Sequence, residues 1–235
     1  MLRLITLLLG GLKFGKLFLS VGSMLLMIGV YGFQFGWPFA VGFVALLGIH
    51  EAGHYVAARQ RGLNVGLPTF IPFVGAWIQL KDLPHDVDTE AYVGIAGPVA
   101  GSLGALACEY VGRAYHSPLL LSLAYTGFFL NLFNLIPLSP FDGGRITAAV
   151  SPKLWLLGVP VLIGAFVYQP SPILIVIAVL AAPHVIAVLR GQIDTKATYY
   201  SIGLTKRIAY GLAYVGLLVF LVARLHELSA ELGIH

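Results

Sequence analysis

Charge is what this sequence has least of. Only 10% of its 235 residues are Asp, Glu, Lys or Arg, while 58% are hydrophobic; an ordinary soluble domain carries about a quarter charged residues. With 14 basic and 10 acidic side chains, the chain cannot clothe a water-soluble globule of this size. Cysteine is almost missing too. The single Cys108 excludes an intramolecular disulfide and a cysteine-only metal cluster, and it reads as a small packing residue in an apolar run. The glycines follow no triplet repeat and large apolar residues abound, so fibrous and disordered classes are excluded as well. Nor is there a basic cluster. The net charge of +4 comes from Lys and Arg scattered singly or in pairs, which speaks against nucleic acid and for orientation in a bilayer. An integral membrane protein with the lipid bilayer as its surroundings is what these absences leave.

A helix needs about 20 apolar residues to cross the hydrocarbon core, so spans are read between charges. Residues 17–50 carry none, enough for one span, a turn at Gly36, Trp37 and Pro38, and most of a second. Residues 91–108 and 114–141 suit one span each. Residues 154–189 break at Gln169, Pro170, Ser171 and Pro172, as a hairpin of two short spans would, and residues 208–223 make a last one. The expectation is an all-α polytopic membrane protein of six or seven transmembrane helices, a single domain over residues 1–235. One uncharged run is not a span. Residues 62–80 interleave Gly62, Gly66, Pro68, Pro72 and Gly75 with large apolar residues, and non-helical backbone at membrane depth must be buried in protein or line a wet cavity. A re-entrant loop or short β-hairpin is expected around residues 66–80; the plain alternative is a surface loop rich in apolar residues.

Arg3, Lys13 and Lys16 precede the first span as in a signal peptide, but no convincing small-residue cleavage site follows, so the segment is read as retained with its N-terminus cytoplasmic. Alternation then puts Arg59, Arg61, Lys81, Lys153, Arg190, Lys196, Lys206 and Arg207 inside, with Arg113 and Arg224 outside, in agreement with the positive-inside rule.

Ionisable groups at membrane depth ask for a partner and a reason. His50, Glu51, Ala52, Gly53 and His54 are the clearest case. Residues four apart share a helix face, so both imidazoles point one way, able to hold Zn²⁺, with the glutamate placed as general base toward a metal-bound water. Chance would produce about 0.004 such patterns from this chain's His and Glu content. A catalytic zinc generally takes three protein ligands. Glu109 pairs adequately with Arg113 four residues on, while Asp82, Asp86, Asp88 and Glu90 form a connector expected to be solvated. Asp142 stands apart, followed by Gly143 and Gly144, which allow close backbone approach. It is either the third ligand or merely the N-cap of a helix starting at Gly143. Gly94, Gly97, Gly101 and Gly104 line one span, a pattern that permits close helix packing inside the molecule or, less simply, a homo-oligomer.

The HEAGH helix, the segment AGPVAG at residues 96–101, and the pattern N-x-x-P-x-x-x-x-D-G-G from Asn134 to Gly144 together resemble the site-2 protease family of intramembrane zinc metalloproteases (peptidase family M50). Residues 70–76 also resemble that family's membrane re-entrant region. The resemblance covers roughly residues 40–150, the expected catalytic core, with C-terminal helices over about 154–226; it implies a compact member without a PDZ or CBS domain. It further implies one Zn²⁺ per chain on His50, His54 and Asp142, with Glu51 activating water and Asn134 assisting as a donor. Phe73, Gly75, Ala76, Trp77, Ile78 and Gln79 would contact an unwound transmembrane protein or peptide substrate by strand addition. The setting implied is a prokaryotic inner membrane with the active site toward the cytoplasm. Ser139 and Phe141 depart from the family's commoner proline and leucine. The competing class is a transporter or channel using the His/Glu/Asp cluster as an ion site. Transporters often repeat such features in both halves, and no second copy occurs here.

Overall fold

Backbone in hydrocarbon must satisfy its own hydrogen bonds, and the uncharged runs accordingly fold as helices. The computed structural model of the chain describes residues 2–72, 75–80, 83–193 and 197–234. Phe73, Lys81, Asp82, Asp194, Lys196 and the side chains of residues 75–79 lie outside the described residues. Helices α1 (Leu2–Phe35) and α2 (Trp37–Gln60) are separated only by Gly36, whose φ of 90° suits glycine alone, and Pro38 sits in the first turn of α2, where a missing N–H costs nothing. After α2 the antiparallel strands β1 (Val65–Ile71) and β2 (Gly75–Leu80) form the expected hairpin, with Phe70 opposite Ala76 and Thr69 opposite Trp77. α1 holds its near edge: the Ser20 hydroxyl donates to the Pro68 carbonyl at 2.6 Å, and the Phe70 N–H donates to Ser23 Oγ at 3.0 Å.

Helices α3 (Val87–Ala114) and α4 (Pro118–Asn134) follow, capped by Asp86, which accepts from the Thr89 N–H at 2.7 Å, and by Ser117. A short helix, α5 (Asp142–Val150), comes next, where the sequence offered a helix from Gly143 as one reading of Asp142, then a 3₁₀ turn (Pro152–Leu157), α6 (Gly158–Tyr168), α7 (Pro172–Leu189) and α8 (Leu204–Leu232). Among the described residues five helices are long and apolar enough to cross a membrane, and Pro118–Asn134 and Pro152–Tyr168 are shorter apolar stretches. That matches an expectation of six or seven spans. Phe18, Phe33, Leu103, Val179 and Leu212 project outward, an ordinary surface for a multi-pass protein in lipid.

α3 is the hub, packed against α2, α4, α5 and α8. Lipid offers no hydrophobic drive between helices, so close approach and van der Waals contact must hold them. A Cβ on Gly53 of α2 would run into the Ala96 carbonyl of α3, and one on Gly127 of α4 would press on Ala105 of α3 at 3.0 Å. The acids of α3 tie down α8 at both ends. Asp88 receives Lys206 at 2.8 Å, Arg61 at 3.1 Å and the Tyr210 hydroxyl at 2.8 Å. Glu90 accepts from the Tyr199 hydroxyl at 2.5 Å, and burial together with this carboxylate pushes the Tyr199 phenol well above its usual pKa. Both acids were expected to be solvated; they are half-buried, because three cation-bearing or phenolic elements converge on them. At the far end buried Glu109 binds Arg113, as its spacing suggests, at 3.0 Å, and also Arg224 of α8.

Removing one partner of a buried pair leaves an uncompensated charge and costs about 3–5 kcal/mol. Arg224→Met alone leaves Glu109 paired with Arg113 and should cost less than that, whereas Arg113→Met in the same chain strips the carboxylate of both cations and should lower thermal stability in detergent by about 3 kcal/mol.

Candidate metal centre

Three side chains from two stretches of the sequence meet below the lipid-facing surface. His50 and His54 lie one turn apart on α2, with ring centroids 4.7 Å apart and planes at 78°, so that the rings converge edge-on instead of stacking. Their Nε2 atoms are 3.0 Å apart. Asp142 Oδ2 lies 3.1 Å from His54 Nε2 and 3.2 Å from His50 Nε2. All three residues are buried. Asp142 opens α5, as the helix-cap alternative supposed, but α5 has no side-chain cap hydrogen bond; the carboxylate turns to the imidazoles instead.

The opposite ring nitrogens decide the protonation. His54 Nδ1 is 2.8 Å from the Val93 carbonyl, which can only accept, and His50 Nδ1 is 2.8 Å from Asn131 Oδ1, also an acceptor. Each Nδ1 therefore carries its proton, and each neutral ring turns an Nε2 lone pair inward. In the neutral tautomers two nitrogen lone pairs and a carboxylate oxygen face one another, an arrangement that repels unless a metal ion or a proton sits among them. Donor atoms about 2.0–2.1 Å from a tetrahedral zinc stand about 3.3 Å apart. The observed triangle is within a few tenths of an ångström of that, and two nitrogens with one oxygen are a donor set zinc accepts. Zinc fits.

The turn-rich segment aims Asp142 by backbone contact. A Cβ on Gly143 would strike the Leu135 carbonyl, and one on Gly144 would sit 2.5 Å from Leu138 C. Trp155 Nε1–H donates to the Gly144 carbonyl at 2.8 Å and Thr147 Oγ1–H to the Gly143 carbonyl at 2.7 Å, locking the start of α5. Arg145 Nη1 stands 3.8 Å from the outer oxygen, Oδ1. Glu51 is buried, has no hydrogen-bond or ion-pair partner among the described residues, and lies within electrostatic range of His54, His50, Asp142 and Arg145.

Asn134 is on the last turn of α4. Its amide donates to the Leu130 carbonyl of its own helix at 3.0 Å. The asparagine that touches a ligand is Asn131, which the sequence reading passed over; its signal was an amide in the middle of an otherwise apolar helix, where a polar group needs a partner. The glycine row of α3 has a more particular job than close packing alone. A Cβ on Gly97 would overlap the His54 ring, one on Gly101 would overlap the Asn131 amide, and one on Gly94 would press on Arg145 Cβ at 3.0 Å. Gly97→Ala should cut the zinc content of the purified protein well below one per chain. Gly104→Ala, which meets only the side chains of Leu46 at 3.1 Å and Ile49 at 3.3 Å, should leave it unchanged.

Residues 38–117 match the family model described as Peptidase family M50, a span that holds His50, Glu51, His54 and the glycine row but stops short of Asp142. Zinc metalloprotease MJ0392 of Methanocaldococcus jannaschii is 31% identical over 110 residues, 45% of this chain and 32% of that protein. The probable zinc metalloprotease EGY1, chloroplastic, of Arabidopsis thaliana is 34% identical over 80 residues, 32% of this chain and 15% of the relative. The chain thus spans a third or less of the length of these curated relatives. Among solved structures, a site-2 protease from Methanocaldococcus jannaschii aligns over 86% of each chain at 20% identity with a TM-score of 0.45. The matched span holds the HEAGH helix and its glycine-lined neighbour, and over those residues the chain is similar to peptidase family M50.

Proposed function

We propose that the chain is an intramembrane zinc endopeptidase, a single unit with its catalytic core at about residues 40–150, that hydrolyses peptide bonds within or near transmembrane segments of membrane-protein substrates. The observation that carries this reading is the buried triangle of His50 Nε2, His54 Nε2 and Asp142 Oδ2 beside a buried carboxylate, Glu51, that has no ion-pair partner among the described residues. Two carboxylates and two neutral rings in one buried place make a net-negative site that favours a divalent cation. His50, His54 and Asp142 would hold one Zn²⁺ per chain. When bound, zinc polarises a peptide carbonyl and draws the pKa of water toward neutrality. Glu51 takes a proton from the attacking water and delivers it to the departing amine as the C–N bond breaks. Asn134 would add a donor to the developing oxyanion, for which its amide has to leave the Leu130 carbonyl.

A helical substrate hides its carbonyls in hydrogen bonds and must unwind before it is cut. The β-hairpin supports capture by strand addition. Ser20 and Ser23 of α1 occupy the outer edge of β1, which leaves β2, residues 75–80, to pair with an extended peptide; Phe73, Gly75, Ala76, Trp77, Ile78 and Gln79 would form that contact. The grouping of basic residues supports a cytoplasmic active site. Arg61 and Lys206 meet at Asp88, and Arg207 donates to the Val150 carbonyl at the end of α5, while Arg113 and Arg224 gather at Glu109 on the other side.

Two outcomes test these assignments. Glu51→Gln, co-expressed with a tagged membrane-protein substrate, is expected to abolish cleavage while the purified variant still carries zinc; unchanged cleavage removes Glu51 from the reaction. A proline scan through residues 76–79 should abolish substrate pairing and cleavage without touching zinc content, because proline has no N–H to give an added strand. Wild-type cleavage throughout the scan would exclude strand addition.

A further inference from the structure

His54 is oriented by a backbone carbonyl, that of Val93, which no side-chain replacement can remove. His50 depends on a side chain. Asn131 is 1% exposed, and its amide nitrogen donates to the Gly127 carbonyl at 2.7 Å. That bond settles which way the amide faces: flipped, it would set its oxygen against the Gly127 carbonyl oxygen, two acceptors in contact. Only Oδ1 is therefore presented to His50 Nδ1, at 2.8 Å. An amide oxygen accepts and never donates, so the proton of His50 is kept on Nδ1 and the Nε2 lone pair on the side of Asp142. Gly101 completes the device from a third helix, since a Cβ there would stand 2.7 Å from the Asn131 amide nitrogen. α3 makes the room, α4 supplies the acceptor, and α2 carries the ring.

We propose that Asn131 is a positioning residue for metal binding, which orients the His50 ring and fixes the tautomer that offers Nε2 to the ion. The proposal rests on the zinc reading above and names a residue of this chain outside the HEAGH, AGPVAG and N-x-x-P-x-x-x-x-D-G-G patterns. Asn134, three residues on, has no such role, because its amide is spent on Leu130.

The test is zinc affinity of the full-length protein in detergent, by competition with a chelator, together with the visible spectrum of the Co²⁺-substituted protein as a reporter of ligand geometry. Removal of a group that orients a metal-bound histidine weakens metal binding by about 10–100-fold. Asn131→Leu, close in volume but without an acceptor, is expected to lose affinity in that range and to alter the Co²⁺ bands. Asn131→Asp, which still accepts but must be protonated to face the Gly127 carbonyl, should recover part of both. Gly101→Ala, which crowds the amide without replacing it, should shift affinity in the same direction as Asn131→Leu, so the result does not hang on the folding of one variant. Asn134→Leu should bind as wild type does. Wild-type affinity and spectrum in Asn131→Leu would overturn the proposal, and so would an Asn131→Asp protein as weak as Asn131→Leu, the result that packing alone would give. If Asp142→Asn loses zinc while Asn131→Leu does not, the zinc reading stands and this proposal falls; a wild-type protein that takes up no zinc overturns both.

Discussion

Three lone pairs pointing at one another, with every available proton held on the far side of its ring, are the constraint on which the remainder of this molecule depends. Without a cation the arrangement is costly. The effective penalty for burying a charge is several kcal/mol per ion, and here Asp142 and Glu51 are both buried. A divalent ion offsets that penalty only if the donors are already held in place, which ties metal binding to the folding of this part of the chain. The Val93 carbonyl, the Asn131 amide and the locked start of α5 are what hold them.

Around this centre the helices are arranged by what they leave out. α3 carries glycine where a side chain would collide with His54, with Asn131 and with the stem of Arg145. α2 carries Gly53 where it meets the Ala96 carbonyl. The same α3 bears acids near its two ends, Asp88 and Glu109, each gripping α8 through basic residues. One helix thus spaces the metal ligands along its middle and anchors the C-terminal helix at its ends. Small residues and ion pairs take over here the role that hydrophobic burial plays in water, since a Leu gains little by leaving lipid for protein.

Much of this was legible in the sequence, and for physical reasons. A 20-residue apolar requirement makes spans visible as gaps between charges, and breaks at Gly36 and at Gln169, Pro170, Ser171 and Pro172 appear where helices end. The i,i+4 histidines needed only helix periodicity to be placed on one face. The glycine- and proline-rich run after α2 could not be a lipid-exposed helix, and a hairpin is what formed. What escaped were relations between distant elements. Asn131 looks like any buried amide until His50 is seen beside it, and Asn134, carried over by resemblance, is directed to its own helix. Asp88 and Glu90 read as solvated because their partners, Arg61, Lys206, Tyr210 and Tyr199, come from other parts of the chain. α5 was offered only as an alternative because nine residues opening on Asp-Gly-Gly carry little helical signal of their own.

X-ray absorption at the zinc edge on the purified full-length protein shows whether two imidazoles of α2 and one carboxylate of α5 share a single metal ion. The account predicts one zinc per chain with only nitrogen and oxygen neighbours at about 2.0–2.2 Å, two of them showing the outer-shell scattering of imidazole rings. A spectrum fitted by oxygen alone, by sulfur from Cys108, or by a single imidazole would contradict it.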